Sequence, residues 1–132
     1  MFANLTLESY KTMQFALMIS ETHEGFEDRN NARAGEYWGG WMAYSRAIAE
    51  SGIFAGGAGL ELPSTATRVV FDGASKTVQD GPFPDARELL GGFFVIEVDS
   101  LDDAIAWAKR CPITKGGTVE VRPVLPPPPQ AD

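Results

Sequence analysis

Few side chains in this chain could move a proton near neutral pH. His23 is the single imidazole, and imidazoles titrate in that range. Paired with a carboxylate, it could act as acid and base. Asp80 is the candidate partner, because the Gly81-Pro82 that follows holds it in a rigid turn. The plainer readings are a loop histidine among glutamates and an aspartate that closes its own turn onto backbone two residues on. Arg87 and Arg122 could each grip a ligand carboxylate through two parallel bonds, or form surface ion pairs with Asp85 or Glu88. Glu97 lies in a bulky apolar run. Buried, it could donate a proton; at a dimer rim it would be an ordinary surface acid. Trp38 falls off the apolar helical stripe around it, so it is a candidate ligand or dimer contact. Phe83, on the Asp80 turn, is a candidate core plug or cleft wall.

Other chemistries are excluded. A single cysteine, Cys111, leaves no disulfide framework and no cysteine-based zinc site; before Pro112 it reads as a packed thiol at a helix end. One histidine excludes any site needing two from one chain. Gly56-Gly57-Ala58-Gly59 lacks the Lys-Ser/Thr and following helix of a phosphate-binding loop. Glu21, Glu24, Glu27 and Asp28 lack the ligand spacing of a calcium loop and read as a solvated acidic loop. No cofactor or metal is expected. The net charge of −7 opposes binding to nucleic acid and anionic membranes. No apolar run approaches the roughly 20 residues of a membrane span. The first residues show no basic start followed by an apolar stretch, so a cytoplasmic protein is expected.

The elements that must position these residues follow from periodicity. Met13, Phe15, Leu17 and Ile19 alternate with Gln14, Ala16 and Met18, the period of a strand. Residues 20–32 show no sustained period and read as a long loop. Tyr37, Trp41, Tyr44 and Ile48 share one face of a helix over 33–51, closed by Gly52. Gly39 and Gly40 inside it imply local weakness or close packing against the backbone. Residues 53–60 read as a glycine-weakened strand. Residues 67–71 and 76–79 form a hairpin about Asp72-Gly73. Phe94, Ile96 and Val98 share one face of a strand over 92–98. Ser100 caps a helix with Leu101, Ala104, Ile105 and Ala108 as its apolar face and Pro112 as its stop. Residues 118–122 are the last strand.

The order is β-α-β, a hairpin, then β-α-β. That is an α+β, ferredoxin-like (split βαβ) pattern with an inserted hairpin. Its helices would cover one sheet face. Phe93, Phe94, Val95 and Ile96 together leave the other face needing cover, most simply a second copy. The domain spans 13–125, between an extension over 1–12 and a tail over 126–132. The tail opens with Pro126, Pro127, Pro128 and Pro129, which suit an extended polyproline exit.

Asp80-Gly81-Pro82-Phe83, followed by Pro84-Asp85-Ala86-Arg87-Glu88, resembles the signature segment of DGPF-type proteins of the YCII-related family. Gly91-Gly92-Phe93-Phe94, Ala108-Lys109-Arg110-Cys111-Pro112 and Val119-Glu120-Val121-Arg122-Pro123 resemble the family's strand start, helix end and last strand. Gly52-Ile53 and Gly57-Ala58-Gly59-Leu60 extend the match. The resemblance implies a dimeric α/β barrel, hence a homodimer with a cleft between sheet and loops. It also implies a His–Asp pair with the histidine at the start of the first helix. Here that stretch reads Ala34-Gly35-Glu36-Tyr37, without a histidine. Some relatives are encoded beside alternative sigma factors. Three readings follow: a homodimer that binds or transforms a small organic molecule by acid/base chemistry, a non-catalytic partner of a protein such as a sigma factor, and a structural homodimer with a vestigial cleft.

Overall fold

The computed structural model describes residues 13–83 and 87–127. The extension over 1–12, Pro84, Asp85 and Ala86 of the resembling segment, and Pro128 and Pro129 of the tail lie outside the described residues.

Four strands form one antiparallel sheet: β1 (Met13–Thr22), β2 (Phe54–Gly59), β5 (Glu88–Val98) and β6 (Gly117–Pro123), in the order β2-β5-β1-β6. Helix α2 (Ala34–Glu50) crosses from β1 to β2, and α3 (Leu101–Ala108) crosses from β5 to β6. Each crossover leaves a strand of the other unit between its own two. This is the ferredoxin-like α+β fold expected from the element order. The insert is a separate two-stranded ribbon, β3 (Thr67–Asp72) with β4 (Ser75–Asp80).

Alternation decides which sheet face carries the core. Phe15, Leu17, Ile96 and Val98 are buried with Tyr44 and Ile48 of α2 and Ala104 of α3. Tyr44 donates its hydroxyl to the Trp107 carbonyl at 2.8 Å, which ties α2 to α3. Burial, then the neighbouring Cys111, pushes the Tyr44 hydroxyl well above the ordinary phenol range. On the opposite face Ala16 pairs with Val95, and Met18 with Phe93, all half-buried. Phe94 and Ile96 belong to the core side, so the outer apolar patch is smaller than the run 93–96 implied.

Several local expectations change. Residues 20–32 are not one loop: β1 continues through Thr22, and a short helix α1 (His23–Glu27) follows. Thr22 caps that helix by accepting from Gly25 N at 3.2 Å, a five-residue turn too short to show a period. The acidic stretch is not uniformly solvated, since Glu21 and Asp28 are buried. The Asn31 amide donates to Asp28 at 2.9 Å, and Lys115 lies 3.5 Å away. The amide bond foremost, then the ammonium, holds the Asp28 carboxyl below the usual range. In α3 the core face is Ala104, Trp107 and Ala108, whereas Leu101 is exposed. At Gly40 the close neighbour is Pro112, whose Cβ would lie 3.3 Å from an added methyl. Ser100 caps α3 as expected, accepting from Asp103 N at 3.1 Å.

Candidate functional site

A cavity of about 610 Å³ opens between α2 and the β2–β5 side of the sheet. That volume falls in the range of small-molecule sites. Its walls are mostly aromatic and apolar: Tyr37, Trp38, Trp41 and Met42 from α2 face Phe54 and Phe94. Trp38, Met42 and Phe54 are exposed at its mouth. The floor is glycine. At Gly57, with φ +154°, an added Cβ would stand 2.6 Å from the Phe93 carbonyl oxygen, so the pairing of β2 with β5 requires the bare backbone.

One end of the cavity is polar. Glu21 continues the inward face of Phe15, Leu17 and Ile19, which carries its carboxylate inside at 3% exposure. The Tyr37 hydroxyl donates to Glu21 Oε1 at 2.6 Å. Arg29 Nε donates to the same hydroxyl at 3.2 Å. Burial, reinforced by the bond to Glu21, pushes the Tyr37 pKa up to about 12, so it remains a neutral donor at physiological pH. Trp41 Nε1 is buried with no hydrogen-bond partner among the described residues.

Arg29 fixes this end in place. Its Nη1 donates to the Leu60 carbonyl at 2.6 Å and its Nη2 to the Gly91 carbonyl at 3.2 Å. The guanidinium lies 4.6 Å from the Phe26 ring centre and 5.4 Å from that of Trp38. The Trp38 indole donates back to the Arg29 carbonyl at 3.1 Å. Gly91 is the extra residue where the β1–β5 register shifts, a bulge that redirects local backbone groups. Any side chain there would press on Arg29 Nη2 and Phe26 Cζ, each 3.0 Å from the built Cβ.

Of the residues singled out from the sequence, Trp38 lines this cavity; His23, Asp80, Phe83, Arg87, Glu97 and Arg122 do not. His23 is exposed at the first position of α1. Asp80 is exposed at the end of β4, where its Oδ1 accepts from Thr67 Oγ1 at 3.1 Å across the ribbon. Phe83 is half-buried beneath Arg68, whose guanidinium carbon sits 3.9 Å from the ring centre. Gly81 N donates to the Ala66 carbonyl at 2.6 Å, which holds the Asp80 turn against the short 3-10 turn Pro63–Thr65. Arg87 is exposed ahead of β5, and Glu97 is exposed on the outer sheet face. Arg122 pairs with Glu120 at 3.6 Å; Asp85, the partner also expected from the sequence, lies outside the described residues.

Sequence reasoning missed Glu21, Arg29 and the polar role of Tyr37. Extending the strand period from Ile19 by two residues would have found Glu21. Nothing in the spacing of Arg29 marks it. Among the described residues, no group of three His, Cys, Asp or Glu side chains is placed to hold a metal ion, and no helix is long and apolar enough to cross a membrane.

Over 68 residues the chain is 40% identical to an uncharacterised protein of Rhizobium meliloti (strain 1021). The match covers 48% of this chain and 53% of that protein, so it spans about half of the relative's length. The family model for the YCII-related domain matches residues 13–127, from the first residue of β1 to beyond the end of β6. With its ferredoxin-like order and a match over most of its length, this chain belongs to the YCII-related domain family.

Proposed function

We propose that this protein binds a small, mostly apolar organic molecule in the cavity between α2 and the sheet, and carries out acid/base chemistry on it through Glu21 and Tyr37. The observation that carries this reading is the convergence of Glu21, Tyr37 and Arg29 on one end of an otherwise apolar space of about 610 Å³. Tyr37 offers a neutral phenol, and Glu21 is a buried carboxyl that accepts its hydrogen bond. This reading replaces the acid/base pair expected at His23 and Asp80. It keeps the homodimer, for which the outer patch of Ala16, Met18, Phe93 and Val95 supplies an apolar surface. It also keeps the cytoplasmic setting, in line with the lone cysteine.

The test is a titration of small aromatic compounds into the full chain, followed by calorimetry, with Ser45→Trp as the blocked variant. Ser45 lines the cavity from the exposed side of α2, so an indole there fills the space without disturbing the core. Binding by the wild type and not by the variant is expected. Equal binding by both overturns the reading.

One observation favours a second reading, a non-catalytic partner of another protein such as a sigma factor. Val69, Phe71 and Val78 lie on one face of the β3–β4 ribbon at 48%, 69% and 66% exposure. A two-stranded ribbon is marginal alone and gains from cover. Under this reading Phe71→Ser abolishes capture of the partner, while Ser45→Trp leaves it intact.

A further inference from the structure

The polar end of the cavity has a definite hydrogen-bonding valence. The Tyr37 oxygen carries one hydrogen and two lone pairs. The hydrogen points to Glu21 Oε1 at 2.6 Å, and one lone pair accepts from Arg29 Nε at 3.2 Å. Among the described residues one lone pair is left, on a residue that lines the cavity. The Arg29 guanidinium has five N–H donors. Among the described residues three are engaged, by Tyr37, Leu60 and Gly91, which leaves two. The site therefore presents an acceptor at Tyr37 beside spare cationic donors at Arg29.

Ligand groups can be sorted against that pattern. A carboxylate would suit Arg29 but would face the Tyr37 lone pair and the Glu21 carboxylate. An ammonium would suit Glu21 but would meet Arg29. An ether or ketone has no hydrogen to give Tyr37. A hydroxyl has one, and its oxygen can receive Arg29. The walls of Trp38, Trp41 and Phe94 favour a planar frame behind it, because flat rings stack or meet edge-on with little entropy loss.

Resting on the reading of this cavity as the ligand site, we infer that the ligand carries a hydroxyl on a planar apolar frame. Its O–H donates to the remaining Tyr37 lone pair, and its oxygen accepts from a remaining Arg29 N–H. Both partners are held in place before the ligand arrives, Tyr37 by Glu21 and Arg29 by the Leu60 and Gly91 carbonyls.

The experiment compares β-naphthol with its methyl ether on the full chain, by calorimetry. The naphthol is expected to bind about ten-fold more tightly than the ether, the scale set by one buried polar group left unmatched. In Tyr37→Phe the affinity ratio should fall to about one, because the acceptor is gone. Circular dichroism reports whether the variant folds, and the wild-type ratio alone decides if it does not. Equal binding of naphthol and ether by the wild type, or an undiminished ratio in folded Tyr37→Phe, overturns the hydroxyl inference and leaves the cavity reading standing. Binding of neither compound, or undiminished binding by Ser45→Trp, overturns the cavity reading and the inference with it.

Discussion

The Tyr37 hydroxyl meets Glu21 Oε1 at 2.6 Å and so joins the first turn of α2 to the end of β1. Glu21 is almost wholly enclosed there, and Tyr37 is half-buried. Glu21→Ala removes the acceptor of a partly buried phenol, and the expected loss of stability is about 1–3 kcal/mol. Glu21→Gln retains a carbonyl acceptor at the same place and should cost less than half as much. Urea denaturation of the two variants, compared at equal slope, checks this.

The same bond sets the alkaline limit. Burial and Glu21 raise the Tyr37 pKa from 10.0 to about 12 in the folded chain. The folded state thus holds this proton more tightly than the unfolded state. The resulting stabilisation is fully present below pH 10 and is lost between about pH 10 and 12. Its size is on the order of 1 kcal/mol once solvent screening of a half-exposed group is allowed for. Thermal melts of Tyr37→Phe across this range should fall less steeply than those of the wild type. Tyr44 is raised by burial too, so a residual slope is expected in the variant.

Glycines of one strand should differ sharply. Gly57→Ala places a methyl against the Phe93 carbonyl oxygen at a φ of +154°, where backbone has to move. A cost of about 2 kcal/mol or more is expected. At Gly59 an added methyl meets nothing within 4 Å, so Gly59→Ala should melt within a degree or so of the wild type. Parallel thermal unfolding of the two variants checks the contrast.

Arg29→Lys keeps the charge and loses the fork. Lysine cannot reach the Tyr37 hydroxyl, the Leu60 carbonyl and the Gly91 carbonyl together as Arg29 does. A loss of about 1–2 kcal/mol is expected. Amide exchange should rise at Leu60, whose N–H bonds the same Gly91 carbonyl. Unchanged exchange there would show that Arg29 does not organise this end of the cavity.

Much of the fold was legible in one dimension. The alternation from Met13 to Ile19 placed Phe15, Leu17 and Ile19 inward, because a strand has period two whatever it packs against. Ser100 marked the start of α3, since an N-cap bonds within its own turn. Gly52 marked the end of α2 and adopts φ +71°, a conformation costly to other residues. Element order alone indicated the ferredoxin-like arrangement.

The site was not legible in this way. His23 and Asp80 attracted notice by residue type, yet chain type says nothing about distance, and neither lines the cavity. Glu21 was read as solvated because glutamates usually are, whereas its strand face carries it inward beside Ile19. Tyr37 shares the stripe of Trp41, Tyr44 and Ile48, but α2 meets the sheet nearer its other end, so Tyr37 borders the cavity while Tyr44 and Ile48 are enclosed. Arg29 gains its role from carbonyls 31 and 62 residues away. Local sequence fixes periodicity and caps because those interactions close within a few residues. Which polar groups face one another across a cavity depends on the crossing of α2 over the sheet and on the bulge at Gly91, and these long-range placements exist only once the chain has folded.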